Sequence, residues 1–133
     1  MPYIDIAVNL KETRKRIRAA ALRCGRDPDD IRLVAVSKKM PVSKIKEAIS
    51  AGANIFGENY LQEARKKIEE LGRHVSWHFI GHLQSNKVRY AVELFDLIHS
   101  VDSYQLAEKL NKEAQKKDKK VNILIQVNIT GED

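Results

Sequence analysis

Apolar positions along this chain switch between two spacings: stripes three or four residues apart, and short, nearly continuous runs. From Ile6 they fall at Leu10, Ile17, Ala20, Ala21 and Cys24, which predicts a long amphipathic helix ended by Gly25. After the turn Asp27-Pro28-Asp29-Asp30, the run Ile31-Arg32-Leu33-Val34-Ala35-Val36-Ser37-Lys38 is rich in β-branched residues and too short for an ordinary helix. It predicts a strand buried on both faces. Pro41 then opens a helix with Val42, Ile45, Ala48 and Ile49 on one face, closed near Gly52. The unit repeats with a strand from Ala53 to Phe56, a turn at Gly57-Glu58-Asn59, and a helix whose Leu61, Ala64, Ile68 and Leu71 face inward before Gly72.

A third strand, Ser76 to Ile80, runs into the loop Gly81-His82-Leu83-Gln84-Ser85-Asn86, and Val88, Ala91, Val92 and Phe95 mark the helix behind it. The fourth strand, Leu97 to Val101, precedes Asp102 and Gln105 at capping-box spacing, with Leu106, Ala107, Leu110 and Ala114 following. Val121 to Ile129 is the fifth apolar run. Alternation of this kind means a parallel sheet with helices outside it, closed either as an open doubly wound sheet or as a (β/α)8 barrel. A full barrel takes about 250 residues, and Ile123 to Ile129 as a last strand would expose a long apolar edge. The expected fold is therefore α/β, of the (β/α)8 TIM-barrel type and incomplete. Residues 1–133 form a single domain made of the first five strands with their helices.

Composition adds the setting. With 43% hydrophobic and 32% charged residues the 133-residue chain reads as globular with one core. No run approaches the length of a membrane span, no leader segment is evident at the N-terminus, and the lone Cys24 fits a reducing, cytoplasmic location. The net charge of +6 comes from lysines interleaved with glutamates, with local excesses over Lys11 to Arg18 and Lys116 to Lys120. Such faces are ordinarily solvated, and a basic module for nucleic acid is the least supported function class.

Candidate chemistry gathers at strand ends. Lys38 emerges at the C-terminal end of the first strand, where parallel α/β folds place their sites. A lysine partly shielded there can form an imine with an aldehyde or ketone, whereas the plain alternative is an amine snorkelling into water. Asn59, after the second strand, offers an amide to a ligand or simply starts a helix. The loop from His82 to Lys87 after the third strand either binds a polar group or caps a helix. No metal motif is expected from the four histidines: His78 suits core packing and His82 a solvated loop. Cys24 is expected to pack a helix, and Trp77 and Phe79 to be core. Glycine-rich phosphate fingerprints, Walker motifs and nucleophile elbows are all missing from the sequence.

Three of these stretches carry a resemblance: Leu33-Val34-Ala35-Val36-Ser37-Lys38, Phe56-Gly57-Glu58-Asn59-Tyr60-Leu61-Gln62-Glu63, and Trp77-His78-Phe79-Ile80-Gly81-His82-Leu83-Gln84-Ser85-Asn86-Lys87. With Asn122-Ile123-Leu124-Ile125-Gln126-Val127-Asn128, they make the chain resemble the pyridoxal phosphate homeostasis family, whose members are similar to the barrel domain of bacterial alanine racemase. The resemblance implies that Lys38 holds pyridoxal 5′-phosphate (PLP) as a Schiff base. It implies also that Asn59 lines the cofactor pocket, and it places His82 in a matching loop with no firm role. It further implies a monomeric, cytoplasmic carrier or regulator of PLP supply that does not turn over substrate. The family's phosphate-gripping serine, threonine and glycine groups, and an arginine facing the pyridine nitrogen, belong to later segments that this sequence does not contain. Without them the chain is expected to associate through its open sheet edges. An enzyme using the same lysine, either a PLP-dependent racemase or decarboxylase relative or a Schiff-base aldolase, is the alternative, set apart by turnover of amino acids or aldol substrates.

Overall fold

A computed structural model describes residues 5–131. The elements follow the order α1 (Ile6–Arg23), β1 (Ala35–Val36), α2 (Val42–Ser50), β2 (Ile55–Glu58), α3 (Leu61–Leu71), β3 (Ser76–Phe79), α4 (Val88–Leu94), β4 (Leu97–Val101), α5 (Tyr104–Lys116) and β5 (Ile123–Ile125). All neighbouring strands pair in parallel, and the sheet runs β1-β2-β3-β4-β5. A doubly wound sheet reverses its strand order at a switch point, and this one does not. The sequential order is that of the first part of a (β/α) barrel, the closure expected from chain length and the apolar fifth run.

One face of the sheet carries the core. Phe56, Trp77, Phe79 and Ile98 are all at most 1% exposed and pack with Ala64 and Ile68 of α3, Ala91 and Val92 of α4, and Leu106 and Leu110 of α5. Trp77 does more than fill space. Its Nε1–H donates to the Gly72 carbonyl at 3.0 Å and its ring lies 5.6 Å from that of Phe56. Strand alternation sends the intervening residues to the opposite face. There the side chains of Val34 and Ile80 flank Gly57 so closely that a Cβ on it would sit 3.0 and 2.9 Å from them. His78 meets His99 on that face.

The helices end where the sequence indicated. Gly25, Gly52 and Gly72 have φ of 74°, 97° and 83°, which glycine adopts without steric cost. Several expectations need correction. The first strand is two residues long rather than eight and is not buried on both faces, since Val36 is 53% exposed. It is an edge strand, paired with β2 alone among the described strands. Gly57 and Glu58 continue β2 instead of turning, and Glu58 is fully buried. The fifth strand is limited to Ile123–Ile125. Cys24 is exposed. The cap of α5 is Ser103, whose Oγ accepts from Leu106 N, one residue beyond the expected Asp102.

Candidate functional site

The C-terminal ends of β1, β2 and β3 bring the residues singled out in the sequence to one end of the sheet. At β1, Ser37 continues the ladder by donating its N–H to the Gly57 carbonyl at 3.0 Å. Its hydroxyl points to the helix side and donates to Glu58 Oε1 at 2.8 Å. Alternation turns Lys38 the other way, toward the face that carries His78 and His99. Lys38 is exposed, and among the described residues its amine has no hydrogen-bond or ion-pair partner. The expected shielding is not found, since Lys38 is exposed.

Behind Lys38 lies a charged cluster that the sequence reading passed over. Lys67, on α3, is 5% exposed, and its Nζ donates to the Ser37 carbonyl at 2.6 Å and to Glu58 Oε1 and Glu63 Oε1 at 2.7 Å each. Glu63 Oε1 also accepts from the backbone N–H of Lys39. Burial pushes the Glu63 carboxyl up, but the Lys67 ammonium and the Lys39 N–H outweigh it and hold it below its ordinary value. Lys39 adopts φ 60°, a left-handed conformation that costs a side-chain-bearing residue about 1–2 kcal/mol. The signal was present in the sequence. Ala64, Lys67, Ile68 and Leu71 occupy i, i+3, i+4 and i+7, so Lys67 falls on the inward stripe of α3, and Glu63 precedes it by one turn.

Asn59 and His82 come together in a cleft of about 720 Å³ between α3 and α4, with Arg65, Gln84, Lys87 and Tyr90 also on its walls. Lys38 is not part of this lining. Asn59 is half-buried, and its Oδ1 is enclosed without a hydrogen-bond partner. Gly81 is what lets the two loops close: a Cβ there would lie 2.5 Å from the Asn59 carbonyl oxygen. His82 is exposed, as expected of a solvated loop. Arg89, Arg65 and Lys87 surround the Tyr90 ring at 4.8, 5.9 and 6.0 Å from its centroid. Among the described residues no group of three or more His, Cys, Asp or Glu side chains is arranged to hold a metal ion.

A parallel sheet wound in strand order, with helices between successive strands, defines part of a (β/α) barrel. The chain belongs to the family described as alanine racemase, N-terminal domain, which it matches over residues 8–132. It is 51% identical over 132 residues to the pyridoxal phosphate homeostasis protein of Escherichia coli K12, covering 96% of this chain and 56% of that protein. The protein of the same name from Pseudomonas aeruginosa is 45% identical over 128 residues, again across 96% and 56%. This chain therefore spans just over half the length of those curated relatives.

Among solved structures, PipY of Synechococcus elongatus with PLP bound superposes with TM-score 0.76 at 45% identity, over 86% of this chain and 55% of that one. An unknown protein from Bifidobacterium adolescentis reaches 0.89 at 35% identity, over 97% and 57%. The alanine racemase of Streptomyces coelicolor, at 18% identity and TM-score 0.63, over 92% of this chain and 35% of that one, shares the fold.

Proposed function

We propose that this chain serves pyridoxal 5′-phosphate homeostasis in the cytoplasm, holding PLP through Lys38 without turning over a substrate. The observation that carries the reading is the placement of Lys38. It is an exposed amine at the C-terminal end of β1, without a partner among the described residues, in a chain whose relatives bear the homeostasis name and include a PLP-bound structure.

The residues present fit the aldehyde end of the cofactor. Lys38 would hold the group through its aldehyde, its deprotonated Nζ supplying the nitrogen of a C=N bond with the carbonyl oxygen lost as water. The enclosed, unpartnered Asn59 Oδ1 shows a polar group with hydrogen-bonding capacity to spare at the neighbouring strand end. When bound, PLP supplies a reactive aldehyde and an electron sink. The protein's part is to present an amine at this strand end. The nearby Lys67 does not compete, because the three hydrogens of its ammonium face three oxygens.

Mixing the chain with PLP is expected to produce the protonated-imine absorption band, and borohydride reduction followed by peptide mapping is expected to place the label on Lys38. Loss of the band in Lys38→Ala supports the reading. Persistence of the band in that variant, with the label elsewhere, overturns it.

A further inference from the structure

Buried ion pairs are an inefficient way to stabilise a fold, because desolvation consumes most of their attraction and a packed apolar pair commonly does as well. The pair between Lys67 and Glu58 is among the most enclosed in this molecule, with side chains 6% and 0% exposed. Its contacts reach beyond the pair itself. Lys67 Nζ holds the Ser37 carbonyl, Glu58 Oε1 holds the Ser37 hydroxyl, and Glu63 holds both Lys67 Nζ and the Lys39 N–H. The main chain is therefore gripped at the residue before Lys38 and at the residue after it.

We propose that Lys67, Glu58 and Glu63 are positioning residues that aim Lys38 at its aldehyde ligand and turn Lys39 away. The inference rests on the assignment of Lys38 as the PLP-holding amine. None of the three side chains touches the ligand; they act through the backbone of the Ser37-to-Lys39 turn. Two adjacent lysines in a loose loop would compete for one aldehyde, since both are exposed primary amines. The left-handed φ of 60° at Lys39 breaks the extended course of the chain directly after Lys38 and separates the two side-chain directions. Left alone, a lysine would relax from that conformation into an ordinary one. The hydrogen bond from its N–H to Glu63 opposes that relaxation, and Lys67 in turn fixes Glu63.

The test uses the whole chain with PLP as the probe. Lys67→Met removes a buried cation and endangers the fold, so Glu63→Ala is the primary variant, its side chain being 27% exposed. Glu63→Gln, which keeps an oxygen for the Lys39 N–H, is the rescue. In wild type, borohydride labelling is expected at Lys38, with a slowly exchanging Lys39 amide. Glu63→Ala, folded by circular dichroism, is expected to exchange that amide about tenfold faster, to take up PLP about tenfold more weakly, and to spread the label onto Lys39. Glu63→Gln should restore selectivity.

A folded Glu63→Ala protein that keeps wild-type uptake and a label confined to Lys38 overturns the positioning role and leaves the Lys38 assignment standing. A wild-type label that falls elsewhere than Lys38 overturns the assignment, and the positioning role with it.

Discussion

His78 Nδ1 lies 3.0 Å from His99 Nε2, so the two rings share a single hydrogen on the face of the sheet opposite the helical core. Burial pushes the His78 imidazole down from its ordinary value. A charge on His99 pushes the same way, Asp96 opposes it, and the Arg32 guanidinium adds a smaller push downward. Burial lowers His99 as well. The neighbouring strands β3 and β4 impose this arrangement, since register sets His78 opposite Leu97 and His99 follows two residues on.

A pH dependence of stability follows from that pair. With both folded values below the ordinary imidazole value of 6.5, the unfolded chain binds more protons in the interval between. The contribution is complete above pH 6.5 and is lost as the pH falls through the depressed folded values. The slope cannot exceed about 1.4 kcal/mol per pH unit for each ring. Urea unfolding followed by the fluorescence of the single Trp77 should show stability falling below pH 6.5, and His99→Gln should flatten that fall. An unchanged slope in the variant removes the pair as its cause.

How much of this was legible beforehand depended on what kind of signal each element carries. The helices were, because their inward stripes and closing glycines are local: Ala64, Ile68 and Leu71 could be placed from spacing alone. Strand order followed only from choosing a barrel over a doubly wound sheet, a choice that alternation left open. Strand length was not. Ile31 to Val34 has the β-branched composition of a strand, but pairing is decided by a neighbour, and only Ala35 and Val36 are assigned to β1, opposite Phe56 and Gly57 of β2. Glu58 was misread for the opposite reason: a glycine followed by a glutamate suggests a turn, whereas Lys67 and Ser37 compensate its burial from elsewhere in the chain. Lys38 and Asn59 were legible as strand-end residues. The cleft that Asn59 shares with His82 depends on Gly81, whose role appears only when its neighbour across the loop is known.

Gly81 gives the second prediction. A methyl group there would meet the Asn59 carbonyl oxygen, Cα and carbonyl carbon at 2.5, 2.8 and 3.0 Å, and backbone has little freedom to retreat. Gly81→Ala is expected to cost about 1–3 kcal/mol and to displace the Asn59 amide, changing its NMR shift. Gly25→Ala meets nothing within 4 Å and pays only for a φ of 74°, so it measures backbone strain without a close contact and should leave the Asn59 amide shift unchanged. Wild-type stability and an unmoved Asn59 shift in Gly81→Ala would mean that the close approach at Asn59 contributes nothing.

The third prediction concerns the sheet's two ends. β1 and β5 each pair on one side only among the described strands, and the apolar side chains near them are open: Val36 at 53%, Leu124 at 48%, Ile125 at 76%, Val127 at 71% and Ile129 at 91%. Unpaired N–H and C=O groups beside apolar side chains are the usual template for strand pairing between molecules. The 133-residue chain on its own is therefore expected to associate as its concentration rises, with a weight-average sedimentation coefficient that climbs over a micromolar range. Ile125→Lys, which places a charge on the β5 edge, should suppress that rise. Val8→Lys, at a 60% exposed site on α1, should not. A single coefficient at every concentration would show that the edges are protected in solution. Equal suppression by both substitutions would assign the association to net charge rather than to the edge, because only Ile125 lies in a strand with an open side.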